Sequence, residues 1–303
     1  MANATGGTAD VPLIIEAAVN GMTPKARNPR VPVSAQEIAA DALACLDAGA
    51  AIVHTHAPDL TAGVEETVAH YAAAWTPVLA QLPQALFYAT FRNFRAAADR
   101  SAHIWRLARQ GLTRISYIDT GSTNVGHADD EGLPAGASVY ENTYDDCRYM
   151  MDACARLGLG PSIAVFEPGF LRVVLAYHRA GRLPAGAMIK FYFGGDHNLF
   201  TGARTPITFG LPPTLASLDA YLAMLGDAPI PWAVAVVGGD VTRSPVAAAA
   251  VARGGHLRLG LEDLAGDRQP SNAELVAEAV ALARAAGRRI ATPAESVRVL
   301  GLP

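Results

Sequence analysis

The chain has 303 residues, 51% of them hydrophobic and 17% charged, which is too apolar for an intrinsically disordered chain. Twenty-four Lys and Arg against 28 Asp and Glu leave a formal charge of −4, with no basic stripe, so no nucleic-acid partner is expected. Apolar runs break before the roughly 20 residues of a membrane helix, residues 1–11 lack the apolar centre of a signal peptide, and three cysteines (Cys45, Cys147, Cys154) are too few for a disulfide framework.

These features read as a cytoplasmic globular protein with no membrane partner. In chain order, short apolar runs bounded by turn residues alternate with amphipathic stretches. Strands are predicted at 11–19, 51–56, 85–90, 114–118, 162–166, 188–193, 232–237 and 256–261. Helices are predicted at 34–48, 64–80, 98–110, 141–157, 169–181, 213–225, 244–253 and 272–286. The first helix opens on Ser34-x-x-Glu37, a capping box whose side chains satisfy free amides of the first turn. Gly49, Gly111, Gly158, Gly181, Gly254 and Gly287 fall just past helical stretches, where a left-handed residue is wanted. LIIEAAV, AAIV and WAVAVV run apolar without alternation, as strands buried on both faces do.

Eight strand–helix units predict an α/β fold, a single-domain (β/α)8 TIM barrel over 11–303, behind a flexible N-terminus at 1–10. A doubly wound sheet is the competitor, but no Gly-x-Gly-x-x-Gly opens a helix after the first strand. The long non-periodic stretches 20–33, 119–140, 194–212 and 262–271 each follow a strand. On a barrel they gather at the C-terminal face, where active sites are built.

The sharpest chemical signal is His54-Thr55-His56, ending the second strand. Residues two apart on a strand share a face at about 6.5 Å, close enough for both imidazoles to hold one ion. Two satisfied polar histidines at a strand end is the bland alternative. The eighth strand ends Arg258-Leu259-Gly260-Leu261-Glu262-Asp263, and in a closed barrel it lies two strands from the histidines. Glu262 is therefore a candidate third ligand, giving a two-histidine, one-carboxylate metal site with a position open for substrate. Alternation puts Arg258 and Glu262 on one face and leaves Asp263 where the strand breaks. An arginine inside a barrel needs a partner, so Arg258 is read as orienting Asp263 and keeping it ionised as a general base, with structural pairing alone as the competing account. Glu16, in the apolar strand LIIEAAVNG and facing with Asn20, has three readings: a partner for Arg258, a hydrogen-bond support for a histidine, or a holder of a cationic substrate group.

At this point the residues add up to a known pattern. VPLIIEAAVNG, Asn28-Pro29, Pro32-Val33-Ser34 and AQEIAADALACLDAGAAIVHTH resemble the opening of the β-keto acid cleavage enzymes, whose namesake is the 3-keto-5-aminohexanoate cleavage enzyme. GGHLRLGLED, PSNAELV and GRRIATPAESVRVLGL are similar to that family's ending. The resemblance implies a homo-oligomeric barrel, usually a tetramer, with a divalent metal, normally zinc (Zn2+). The implied reaction exchanges a β-keto acid and acetyl-CoA for acetoacetate and a new acyl-CoA by a retro-Claisen step. It places the metal on His54, His56 and Glu262 and the catalytic dyad on Asp263 and Arg258. Oxyanions forming along the way need donors, and Thr90, Ser122 and Asn124 are candidates at strand tops. Departures from the family fall around the substrate side chain: Thr23 replaces a glutamate in Gly21-Met22-Thr23, Glu16 replaces a small hydroxyl residue, Ala57-Pro58 follows the second histidine, and Arg92 intrudes in YATFRN. Glu167 in VFEPG reads as either a pocket carboxylate or a solvated one. Two rival readings are a barrel metallohydrolase using metal-bound hydroxide and a catalytically silent metal-binding scaffold.

Overall fold

The apolar runs become short parallel strands, and each is followed by a helix that covers it. A computed structural model describes residues 11–303, so the flexible N-terminus expected at 1–10 lies outside the described residues. The first half runs β1 (Ile15–Ala18), α1 (Ala35–Ala48), β2 (Ile52–Thr55), α2 (Val64–Gln81), β3 (Leu86–Ala89), α3 (Ala97–Arg109) and β4 (Ile115–Asp119). A hairpin follows, β5 (Thr123–Ala128) and β6 (Pro134–Tyr140), and then α4 (Tyr144–Leu157). The second half runs β7 (Gly160–Val165), α5 (Pro168–Arg179), β8 (Met188–Gly194), α6 (Leu215–Leu225), β9 (Trp232–Val237), α7 (Pro245–Ala252), β10 (His256–Leu259), α8 (Asn272–Ala285) and α9 (Pro293–Leu300).

The sheet order is β3-β2-β1-β10-β9-β8-β7-β4, with β3 and β4 side by side. This nearly closed ring of eight parallel strands is the (β/α)8 barrel that the sequence predicts. Strand β1 is the keystone, because it pairs with both ends of the chain's chemistry. Its register sets Glu16 beside Arg258 of β10 and Ala18 beside His54 of β2. The predicted capping box forms at α1, with Ser34 accepting from the Glu37 amide and Glu37 reaching back to the Ser34 amide. All six glycines predicted to end helices have positive φ.

Two elements depart from the sequence reading. Residues 119–140, expected as a non-periodic loop, carry the antiparallel β5–β6 hairpin. Its strands are largely exposed, so no hydrophobic period marks them, and a register shift between Val125 and His127 breaks what alternation there is. Helix α9 at Pro293–Leu300 lies outside the predicted helices; Thr292 and Glu295 cap it with a box of the same kind as Ser34 and Glu37. Among the described residues, no helix is long and apolar enough to cross a membrane.

Candidate active site

The strand ends deliver their polar residues to one cavity of about 280 Å3 at the C-terminal mouth of the barrel. His54 closes β2 and His56 lies one residue beyond it, and their Nε2 atoms face each other at 3.1 Å. Glu262 brings one carboxylate oxygen to 3.3 Å from His54 Nε2 and the other to 3.4 Å from His56 Nε2. Ligand atoms of all three residues lie within 4.8 Å of one another. Three features prepare this set for a cation. His54 Nδ1 lies 3.2 Å from the Tyr88 carbonyl, so the ring's N–H goes to that acceptor and its Nε2 lone pair points inward. Glu262 Oε2 is buried without a hydrogen-bond donor, which leaves an acceptor open at the centre of the cluster. Burial lowers the His54 pKa to about 4, the nearby Glu262 charge opposing this only in part, so the ring is neutral as a metal ligand must be. These residues fit a divalent metal.

The backbone explains how Glu262 gets there. Strand β10 ends at Leu259, earlier than the sequence reading, because Gly260 turns with φ +141 against Ala18 of β1. A Cβ on Gly260 would sit 2.0 Å from the Ala18 carbonyl oxygen. Gly21 does the matching work from the other side: at φ +55, its missing Cβ would stand 2.4 Å from Glu262 Cγ. Glycine at both positions lets the turn carrying Glu262 close onto the histidines. Asn20 braces the same region, donating to the His56 carbonyl at 3.0 Å and accepting from the His56 amide at 2.8 Å.

Arg258 is the hub beneath the cluster. Its Nε donates to Asp263 Oδ2 at 2.8 Å, Nη2 lies 2.7 Å from Glu262 Oε1, and Nη1 donates to Glu16 Oε1 at 2.8 Å. Of the three readings of Glu16, the structure selects the ion pair, and it adds two partners that the sequence reading missed. Lys190 Nζ lies 3.1 Å from Glu16 and 2.6 Å from the Tyr88 hydroxyl, which itself donates to Glu16 at 2.6 Å. Burial would raise the Glu16 pKa, but Lys190 and Arg258 outweigh it and bring the group to about 2. Burial pushes Asp263 above the ordinary carboxylate range, helped by the neighbouring Glu262 charge and opposed by Arg258. Burial acts the same way on Glu262, yet Arg258 and the two imidazoles hold it well below that range. Two adjacent carboxylates are thus shifted in opposite directions, Glu262 toward the ionised form and Asp263 toward the protonated one.

The other predicted residues divide. Thr23 and Thr90 line the cavity, and Thr23 Oγ1 donates to the Leu261 carbonyl at 2.7 Å, supporting the Glu262 turn. Ser122 and Asn124 lie off the lining: the Ser122 hydroxyl ties the hairpin base to Asn142 and Asn124 is exposed. Glu167 is also off it, accepting from the Gly210 amide at 2.9 Å. Arg92 turns away to the Ala62 and Asp99 carbonyls, so it does not alter the substrate surroundings as expected. Lys190 carried a readable signal, a charge inside the apolar run MIKFYF, of the kind that exposed Glu16.

A family model described as beta-keto acid cleavage enzyme matches residues 12–302. The chain belongs to the beta-keto acid cleavage enzyme family. It is 25% identical over 296 residues to the 3-keto-5-aminohexanoate cleavage enzyme of Acetoanaerobium sticklandii, a match covering 96% of this chain and 98% of that one. It is 28% identical over 309 residues to the 3-oxoadipate:acetyl-CoA acetyltransferase of Cupriavidus necator, covering 96% of this chain and 95% of that one. Among solved structures, the apo structure of ObcA shares the fold with a TM-score of 0.68 at 17% identity; the match covers 92% of this chain and 66% of ObcA. One curated relative is named for an amino-substituted keto acid and the other for a dicarboxylic one. Membership in this cleavage-enzyme family therefore leaves the substrate's side chain open.

Proposed function

We propose that this cleavage enzyme condenses a β-keto acid with acetyl-CoA and releases acetoacetate and a new acyl-CoA. The observation that carries the reading is the meeting of a two-histidine, one-glutamate cluster with a buried Asp263–Arg258 pair in one cavity. His54, His56 and Glu262 would hold a divalent metal, for which two imidazoles and one carboxylate favour zinc. Bound there, such a metal would supply Lewis acidity to the keto acid.

The protein's own groups account for the proton traffic. Asp263, its pKa raised by burial and its carboxylate aimed by Arg258, takes a proton from the carbon between the ketone and the carboxylate. That carbon attacks the acetyl-CoA thioester, forming a carbon–carbon bond and releasing the CoA thiolate. The thiolate then adds to the original ketone, the old carbon–carbon bond breaks, and Asp263 returns its proton to the departing acetoacetate carbon. Thr90, which lines the cavity, would donate to the oxyanions that form. The assembly we attach to this reading is a cytoplasmic homo-oligomer, a tetramer in keeping with the family resemblance.

A panel of β-keto acids supplied with acetyl-CoA, read as acetoacetate released, tests the proposal. Acetoacetate formation that requires both substrates supports it. Hydrolysis of an ester or amide by the metal-loaded protein, with no acetoacetate from any panel member, would overturn it in favour of a metallohydrolase.

A further inference from the structure

Asn28-Pro29, PSNAELV and the α1 part of the opening motif hold no residue of the cluster, yet the fold brings them together behind it. They meet at Asn272, the first residue of α8, which is fully buried. Asn28 fixes the approach to it, donating from Nδ2 to the Pro270 carbonyl at 2.9 Å. Asp41 of α1 accepts one N–H of the Asn272 side-chain amide at 2.7 Å.

The other bonds of that amide lead to the active site. Strand β1 ends at Ala18 and β10 at Leu259, and past Gly260 the Ala18 carbonyl accepts from the Glu262 amide at 3.1 Å. The Val19 carbonyl and the Leu261 amide are then left without a backbone partner among the described residues. Both residues are buried, where an unpaired backbone group is costly. Asn272 Nδ2 donates to the Val19 carbonyl at 2.8 Å, and Oδ1 accepts from the Leu261 amide at 2.8 Å. One side-chain amide thus stands in for a peptide group and carries the pairing of β1 and β10 past the point where they part.

Both of the residues it joins adjoin the site. Val19 precedes Asn20, which grips the backbone of His56, and Leu261 precedes Glu262 and Asp263. The span between the histidine side and the carboxylate side therefore runs through Asn272. Its orientation is fixed as well. Turned over, the amide would aim N–H at the Leu261 N–H, and oxygen at the Val19 carbonyl and the Asp41 carboxylate.

We propose that Asn272 is a positioning residue of the active site, tying the turn that carries Glu262 and Asp263 to the end of β1. It acts through the backbone, setting Glu262 against His54 and His56 and Asp263 against Arg258. Its effect on metal affinity and turnover rests on the metal and acyl-exchange readings, whereas its hold on the turn does not. The competing role is to start α8, which would stabilise the fold and leave the site unchanged.

Three measurements on Asn272→Ala decide it, with Val280→Ala as the control. Val280 packs into the core from the same helix, so its truncation loosens α8 without touching the turn. Hydrogen exchange of the metal-free proteins, read on a peptide spanning 260–264, should be at least about tenfold faster in Asn272→Ala than in the control. The dissociation constant for Zn2+, measured against a competing chelator, should rise at least about tenfold, while the control stays within about threefold of the wild type. At saturating Zn2+, kcat for acetoacetate formation should fall at least about tenfold while KM for acetyl-CoA changes less than about threefold. If Asn272→Ala does not fold, Asn272→Ser, which keeps a small polar group at the helix start, is read in the same way. Exchange and Zn2+ affinity that match the control overturn the proposal. A wild type that binds Zn2+ but releases no acetoacetate overturns acyl exchange, and the first two contrasts still decide the role of Asn272. A wild type that binds no Zn2+ overturns the metal reading, and the exchange contrast decides alone.

Discussion

Replacing Glu16 by Gln keeps the shape of the residue and removes the charge on which Lys190 and Arg258 both converge. The folded carboxyl has a pKa of about 2 against an ordinary value of 4.5. At 1.36 kcal/mol per pKa unit this is about 3 kcal/mol of folding free energy, to order of magnitude. Because the folded value is depressed, the contribution is complete above pH 4.5 and fades as pH falls toward 2. The glutamine also leaves two buried cations short of an anion, and breaking such a pair typically costs about 3–5 kcal/mol. The expectation at pH 7 is therefore a loss of about 3 kcal/mol or more, roughly 5–10 °C in Tm for a domain of this size. Urea unfolding of both proteins at pH 7 and pH 3 measures it, and the gap should shrink to less than half at the lower pH. Adding Lys190→Met should recover at least about 1 kcal/mol, since Arg258 keeps Asp263 and Glu262 as partners. A gap below about 1 kcal/mol at neutral pH, or one that does not depend on pH, would refute the ion-pair account of Glu16.

Three further outcomes concern the cluster and the base. Purified protein should carry close to one divalent metal per chain by elemental analysis, and His54→Ala should lose it; unchanged stoichiometry would remove His54 from the ligand set. Asp263→Asn keeps a hydrogen-bond acceptor for Arg258, so metal should remain while acetoacetate formation falls about 100-fold or more. Full activity would exclude Asp263 as the base. Gly21→Ala places a methyl 2.4 Å from Glu262 Cγ at φ +55. Beyond about 1–2 kcal/mol of backbone strain, it should weaken metal retention against a chelator, and normal retention would mean that Glu262 is not held by this contact.

How much of this was legible in the residues follows from which physical constraint each feature obeys. The barrel was readable because its strands are buried on both faces, which forces unbroken runs such as WAVAVV, and because helix ends need caps that only a few residues supply. The hairpin was not readable, since an exposed ribbon at the mouth of a barrel obeys neither constraint. His54, His56 and Glu262 were readable from spacing and strand order. The ion-pair network was half readable: a charge in an apolar strand advertises itself, but Glu16 is ambiguous until its partner is found. Lys190 sits 174 positions away on β8, and only ring closure brings the two together.

Asp119 illustrates a harder limit. A carboxylate ending ISYID is an ordinary sequence feature, and most such residues are solvated or paired. Its surroundings are visible only in the fold, where it ends β4 in the cavity wall beside four rings drawn from β4, β6 and the loops after β3 and β7, with the Tyr140 hydroxyl donating to it. The three residues that would hold a metal come from two strand ends at fixed spacings. The opposite wall of the cavity is assembled from separate segments rather than from one motif.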